Sequence, residues 1–185
     1  MRHALTVVLG LVVAGMLATG ASAGHAFKDA IHDEDSFVIE DYCETAGLDV
    51  ELSYVLDIRM NVVQHGDGYS YFLQHGKQSE TIRNLANGKV VTTQSTVTEK
   101  DKQITDNGDG TLTVVVLATG NAVLYGPNGK AIARNPGQLR FELLIDQMGT
   151  PDNPFDDEII ERGDVVKGST GRSDDACTAA VPALS

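Results

Sequence analysis

Alternation of apolar and polar residues with a period of two constrains this chain more than any other feature. Over residues 49–63, Val50, Leu52, Tyr54, Leu56, Ile58, Met60 and Val62 fall on one face of an extended strand. Glu51, Ser53, Asp57, Arg59 and Asn61 fall on the other. A helix would scatter these residues round its circumference, whereas a strand collects them. The pattern returns in residues 111–125, where Leu112, Val114, Val116, Ala118, Ala122 and Leu124 share a face. It returns again in 138–146 with Leu139, Phe141, Leu143 and Ile145. Residues 69–84 are a less regular strand, and residues 89–105 are rich in Thr and Val.

Turn chemistry separates these runs. His65-Gly66-Asp67-Gly68, Asn87-Gly88, Asn107-Gly108-Asp109-Gly110, Gly126-Pro127-Asn128-Gly129 and Asn135-Pro136-Gly137 all read as turns. Asn135-Pro136-Gly137 divides a short strand, 130–134, from 138–146, and residues 157–167 supply the last strand. Gly120 marks an expected bulge or bend. No amphipathic helix is expected after the first 23 residues. About eight long antiparallel strands predict an all-β meander that closes into a barrel, with a β-sandwich as the alternative. Closure removes exposed strand edges, and an eight-stranded barrel is either packed or holds one small ligand.

The first 23 residues read as an export signal. Arg2 precedes an apolar run over residues 4–18, and Ala21-Ser22-Ala23 forms a cleavage site. The run is shorter than the roughly 20 residues of a spanning helix, so no membrane span is expected after cleavage. Residues 24–36 are expected to form a flexible acidic arm, and 37–185 a single domain. Cys43 and Cys177 are the two cysteines. In an oxidising compartment they are expected to pair, joining the ends of the domain. A loop this long contributes about 5 kcal/mol at most in the chain-entropy account. The protein is therefore expected to be secreted, with its oligomeric state left open.

The net charge of -12 argues against nucleic acid as a partner, because phosphate contact needs a basic face. The acid is uneven. Residues 29–44 carry seven carboxylates and no Lys or Arg, and 146–164 carry seven more against Arg162 alone. Solvation accounts for such runs. Asp152, Asp156, Asp157 and Glu158 form the one loop with the oxygen donors a calcium ion prefers, without a recognised ligand spacing. Asp106 to Thr111 lacks oxygen ligands at the required positions and reads as a hairpin. Histidines 25, 32, 65 and 75 show no zinc spacing. Nucleophile-elbow and phosphate-loop motifs are missing, so no catalytic residue and no cofactor is assigned.

Candidate ligand contacts remain. Tyr69, Tyr71 and Phe72 are the densest aromatic patch and suit either the floor of an apolar cavity or core packing. Asp57, Arg59, Arg140 and Glu142 lie opposite the apolar faces of their strands. They are solvated pairs if those faces point outward, and they line a cavity suited to acid–base chemistry if they point inward.

From Phe37 onward the chain resembles an uncharacterised family of secreted actinobacterial proteins. The resemblance rests on residues 37–43, 105–113, 118–121, 124–129, 135–137 and 167–175, the last just before Cys177. It implies no activity and no site residues. At the level of fold, the pattern is similar to the eight-stranded barrels of the allene oxide cyclase and dirigent type. Lipocalin and avidin barrels fit less well, since the chain has no Trp. The expected function is binding of a small, partly apolar ligand in a barrel. The alternatives are a cofactor-free isomerase or cyclase on the same barrel, and a structural or envelope-associated interaction module.

Overall fold

A computed structural model describes residues 27–168 and 170–185. The export signal expected at 1–23, residues 24–26 of the expected arm and His25 lie outside them. The architecture is all-β: β1 (Phe27–Ile39), β2 (Val50–Gln64), β3 (Ser70–Asn84), β4 (Val90–Asp106), β5 (Thr111–Tyr125), β6 (Ala131–Asp146) and β7 (Glu158–Arg162), followed by helix α1 (Ala176–Leu184). Every strand pairs antiparallel with its neighbours in sequence, in the order β1 to β7. The sheet curls into an open half-barrel. It is not the closed eight-stranded barrel expected.

One strand fewer arises in β6. Asn135-Pro136-Gly137 does not turn the chain but runs through the strand, with Asn121 opposite Pro136 and Gly120 opposite Gly137. Proline fits because of where its missing donor would point. Arg134, Arg140 and Glu142 all direct their N–H groups away from β5, toward the segment that follows β7. Pro136 has the same parity, so no β5 bond is lost.

The other expected turns are hairpins. At Asn87-Gly88, glycine takes φ 74°, and its N–H reaches the Asn84 carbonyl at 2.9 Å. That left-handed backbone is cheap for glycine alone. Gly120 makes no bulge, because the register runs unbroken past it. A Cβ there would lie 2.5 Å from the Thr96 carbonyl oxygen, so glycine instead allows β4 to approach closely. The true register shifts lie at Asp101/Gln103, Leu124/Tyr125 and Leu144/Ile145.

Two further expectations are corrected. The acidic stretch from Phe27 is no loose arm but strand β1, paired with β2 over all 13 residues. Asp29, Asp33 and Asp35 share the inner parity with Phe27, Ile31 and Phe37, so the strand forms without the usual apolar–polar alternation. A helix also forms at the C-terminus. The Asp175 carboxylate caps it by accepting the Thr178 N–H at 3.0 Å.

Burial fixes which sheet face is inner. The buried residues Val50, Leu56, Val62, Ile82, Val91, Leu112, Val114, Val116, Leu124 and Leu143 all share it. They form two separate cores. One end of the half-barrel holds Tyr42, Leu48, Val50, Ile82, Val91, Leu124 and Ala133, closed by Ala180 and Leu184 of α1. The other holds Leu112, Val114, Val116 and Leu143, with Tyr69, Ile104 and Phe141 against them.

Cys43 and Cys177 form the expected disulfide, with Cα atoms 5.6 Å apart. Asn84 and Asn87 both donate side-chain N–H bonds to the Leu184 carbonyl, at 3.0 and 2.8 Å. They satisfy a carbonyl that the helix end would otherwise leave bare. Replacing both Cys43 and Cys177 by alanine should lower the unfolding free energy by about 2–4 kcal/mol in urea titration. Hydrogen exchange should show α1 losing protection before β2–β5.

Candidate functional site

Between the two cores the inner face forms a waist of different composition. Strand register sets its rows. Asp29, Met60, Gln74, Glu99, Ala118 and Leu139 lie side by side. The next row is Ile31, Ile58, Gly76, Val97, Gly120 and Gly137. Then come Asp33, Leu56, Gln78, Ser95, Ala122 and Asn135. Three glycines in that row, Gly76, Gly120 and Gly137, thin its side chains to Ile31, Ile58 and Val97.

Polar groups surround this floor. Tyr54 donates its hydroxyl to Asp33 at 2.8 Å. Gln74 donates to Glu99 across the β3–β4 pair, and Gln78 donates to Glu80 at 2.9 Å. Gln78 Oε1 is sealed from solvent and accepts no hydrogen bond. Strands β1 to β6 place no Lys or Arg on the inner face: Lys28, Arg59, Lys77, Arg83, Lys100, Arg134 and Arg140 all stand on the outer parity, and Lys102 sits in the β4 bulge. Arg162 of β7 lies over the Phe141 ring, in the second core rather than the waist.

The acids feel this lack of cations. Burial raises Asp101 to about 6, the Phe72 N–H opposes the shift, and neighbouring Glu99 adds to it. That N–H reaches the Asp101 carboxylate at 2.8 Å. Burial also raises Glu80, against a hydrogen bond from the Thr93 hydroxyl. Tyr54 is raised, chiefly by its bond to Asp33.

The residues picked out from sequence lie elsewhere for the most part. Asp57 and Arg59 are on the outer face of β2, where the exposed Asp57 meets His32 at 2.8 Å. Arg59 borders a shallow open depression of about 390 Å³ with Lys28, Asp29 and Met60. Arg140 and Glu142 are on the outer face of β6. Their backbones pair with Lys167, Gly163 and Asp164, and Arg140 Nε is buried without a partner. The acid–base arrangement suggested by an inward orientation is therefore not formed.

The aromatic patch is split. Tyr71 stacks on His65 outside, at 4.2 Å between ring centroids, and donates to Asp67 at 2.7 Å. Tyr69 joins the second core, and Phe72 faces inward beside Val62. In the acidic loop, Asp156 accepts from the Thr150 hydroxyl at 2.8 Å, while burial, then Asp156 and Asp146, raise Asp157 to about 6. Among the described residues no three His, Cys, Asp or Glu side chains stand together as metal ligands. The loop's aromatic, Phe155, packs edge-on against Phe27 at 4.8 Å.

The sequence reading missed Tyr54 as a polar contact, and missed Gln74, Gln78, Glu80, Glu99 and Asp101 altogether. Carrying the β2 face through the first hairpin would have found them, because it places Gln74, Gln78 and Glu80 inside.

Compared with known protein families, curated proteins and solved structures, the chain matches none. No helix among the described residues is long and apolar enough to cross a membrane. The disulfide fits an oxidising, extracellular setting.

Asp101 and Asp157 make stability depend on pH. Both hold a proton in the folded chain up to about pH 6, against 3.8 for the ordinary carboxyl. The folded state therefore binds more protons between these values, and stability falls as pH rises from 4 to 6. Raised Glu80 acts in the same direction. Asp101→Asn keeps an acceptor for Phe72 and removes the charge. It should stabilise the protein at pH 7.5 by about 1–3 kcal/mol and flatten that part of the pH profile, as thermal melts would show.

Proposed function

We propose that the waist binds a small, partly apolar ligand carrying a positive charge or a hydrogen-bond donor, without catalysis. The supporting observation is the juxtaposition on one face of three glycines, the aliphatic Ile31, Leu56, Ile58 and Val97 among and beside them, and acceptors with no cation from β1 to β6. A ligand's hydrocarbon would lie over the three glycines and the aliphatic side chains among them. Its head would supply the donor that Gln78 Oε1 lacks and partner the carboxylates. Binding sites of this kind combine an apolar surface with a few placed polar groups.

Titration calorimetry with dodecylammonium, kept below its micelle concentration at pH 7.5, tests the reading. One saturable site is expected, with dodecanoate about tenfold weaker or worse. Ala122→Leu places bulk beside Ser95 and Asn135 on the inner face. It should weaken the ammonium by about tenfold while the melting transition stays cooperative. Equal affinity for both amphiphiles, or binding unaffected by that substitution, would refute it.

A further inference from the structure

The two margins of the sheet are treated differently. Beyond β6, the chain covers its own edge. After β7, residues 163–174 run along β6 with bonds from Gly163 to Glu142, Arg140 to Lys167, Thr170 to Gln138 and Asp174 to Arg134. At the opposite margin β1 ends the sheet order, and no described strand pairs with its far side. That edge is 13 residues long.

Hydrogen bonds show which residues face it. Ala30 and Ser36 donate their backbone N–H groups to the carboxylates just before them, Asp29 at 2.8 Å and Asp35 at 2.7 Å. Even-numbered residues of β1 therefore direct their backbone groups to the open side, and odd-numbered residues bond to β2. His32 and Glu34 lie between the two capped positions, and no described residue bonds their edge groups.

The charge along the edge is one-sided. Asp29, Asp33, Glu34 and Asp35 stand against Lys28 and the His32–Asp57 pair. Behind them on β2, Arg59 stands opposite Ala30, and Glu51 is engaged by Arg83. Asp33 and Asp35 are on the inner parity, with Phe37 beyond them 46% exposed. Val38 on the other parity is 58% exposed.

We propose that the β1 edge takes an extended cationic segment of another protein as an eighth strand. Backbone bonds to His32 and Glu34 would set the register. Lys or Arg at alternate positions would meet Asp33 and Asp35, and an apolar residue at one end would meet Phe37. Addition of a strand to a free edge combines main-chain bonds with side-chain pockets at every second position. A second copy of this chain fits poorly, because antiparallel pairing of two β1 strands sets four carboxylates against four. The Asp29 and Asp35 caps guard the edge against indiscriminate pairing. A cationic strand gives both carboxylates a replacement partner.

The probe is a fluorescein-labelled nine-residue peptide of alternating Lys and Thr, with a Glu/Thr peptide as its counterpart. Fluorescence anisotropy at low salt should show saturable binding of the first, and hydrogen exchange should show new protection at His32 and Glu34. Glu34→Pro removes an edge donor without touching a β2 bond. It should weaken the peptide about tenfold, as should the same peptide N-methylated on alternate residues. Asp33→Asn with Asp35→Asn should weaken it similarly and flatten its salt dependence. Ala122→Leu should leave it unchanged, which separates this edge from the waist.

Unaltered binding by a Glu34→Pro variant that still melts cooperatively would overturn the proposal, reducing the contact to general acidity. Failure of the Lys peptide to bind at low salt would overturn it too. So would dimerisation in sedimentation that Glu34→Pro abolishes, since the occupant would then be a second copy.

Discussion

Uncompensated negative charge on the inner face governs the form of this molecule. Asp33, Asp35, Glu80, Glu99 and Asp101 all lie on the parity that carries the core, and β1 to β6 bring no cation to meet them. A closed barrel of eight strands is narrow enough for side chains to fill it. Closing this one would strip water from several carboxylates with nothing to replace it, at a cost of several kcal/mol for each unpaired ion. An open half-barrel avoids that full closure, and its clustered apolar cores sit at the two ends. The raised pKa of Asp101 and Glu80 shows that even partial burial is felt.

A sheet with an open side needs its ends held. The first core supplies this by joining the beginning and end of the fold. Tyr42 and Leu48 from the β1–β2 connection pack with Ala180 and Leu184 of α1, and the disulfide locks the two segments together. The bond spans 134 residues of chain, so it removes much freedom from the unfolded state. Asn84 and Asn87 then anchor the helix end to the β3–β4 hairpin. Among the described residues the second core has no such lid. Phe27 against Phe155 is its nearest equivalent, bringing the start of β1 to the loop before β7.

Much of the fold is legible in the sequence because strand alternation and turn residues are local signals. β2 and β5 read true in their faces, and five of the six hairpin or loop connections fall where glycine, asparagine and proline mark them. Pro136 misled because a turn signal and an edge-facing strand proline look alike until the neighbouring strands are known. β1 was hidden by its acids, because Asp29, Asp33 and Asp35 fall on the same face as Phe27, Ile31 and Phe37 and break the apolar–polar alternation that marks a strand. Helix α1 is too short to show a period of its own. The candidate site was the least legible part. Its residues come from separate strands and align only through register, and their polarity made β3 look irregular. Asp57, Arg59, Arg140 and Glu142 drew attention as charges opposite apolar faces, and an outer surface is where such charges need no partner.

The contrast between the margins follows from the same residues. A regular eighth strand along β6 would have to pass Pro136, which offers no N–H toward it. The covering segment is glycine-bearing and irregular instead, and at Gly171 a Cβ would collide with the Pro136 carbonyl. Such a strip protects the β6 edge without extending the sheet toward β1. The curl therefore stops short of closure on that side. On the other side β1 keeps a long edge whose donors, among the described residues, are met where they are met at all by its own aspartates. Open interior and open edge are thus one structural fact, set by where the chain places its carboxylates and its proline.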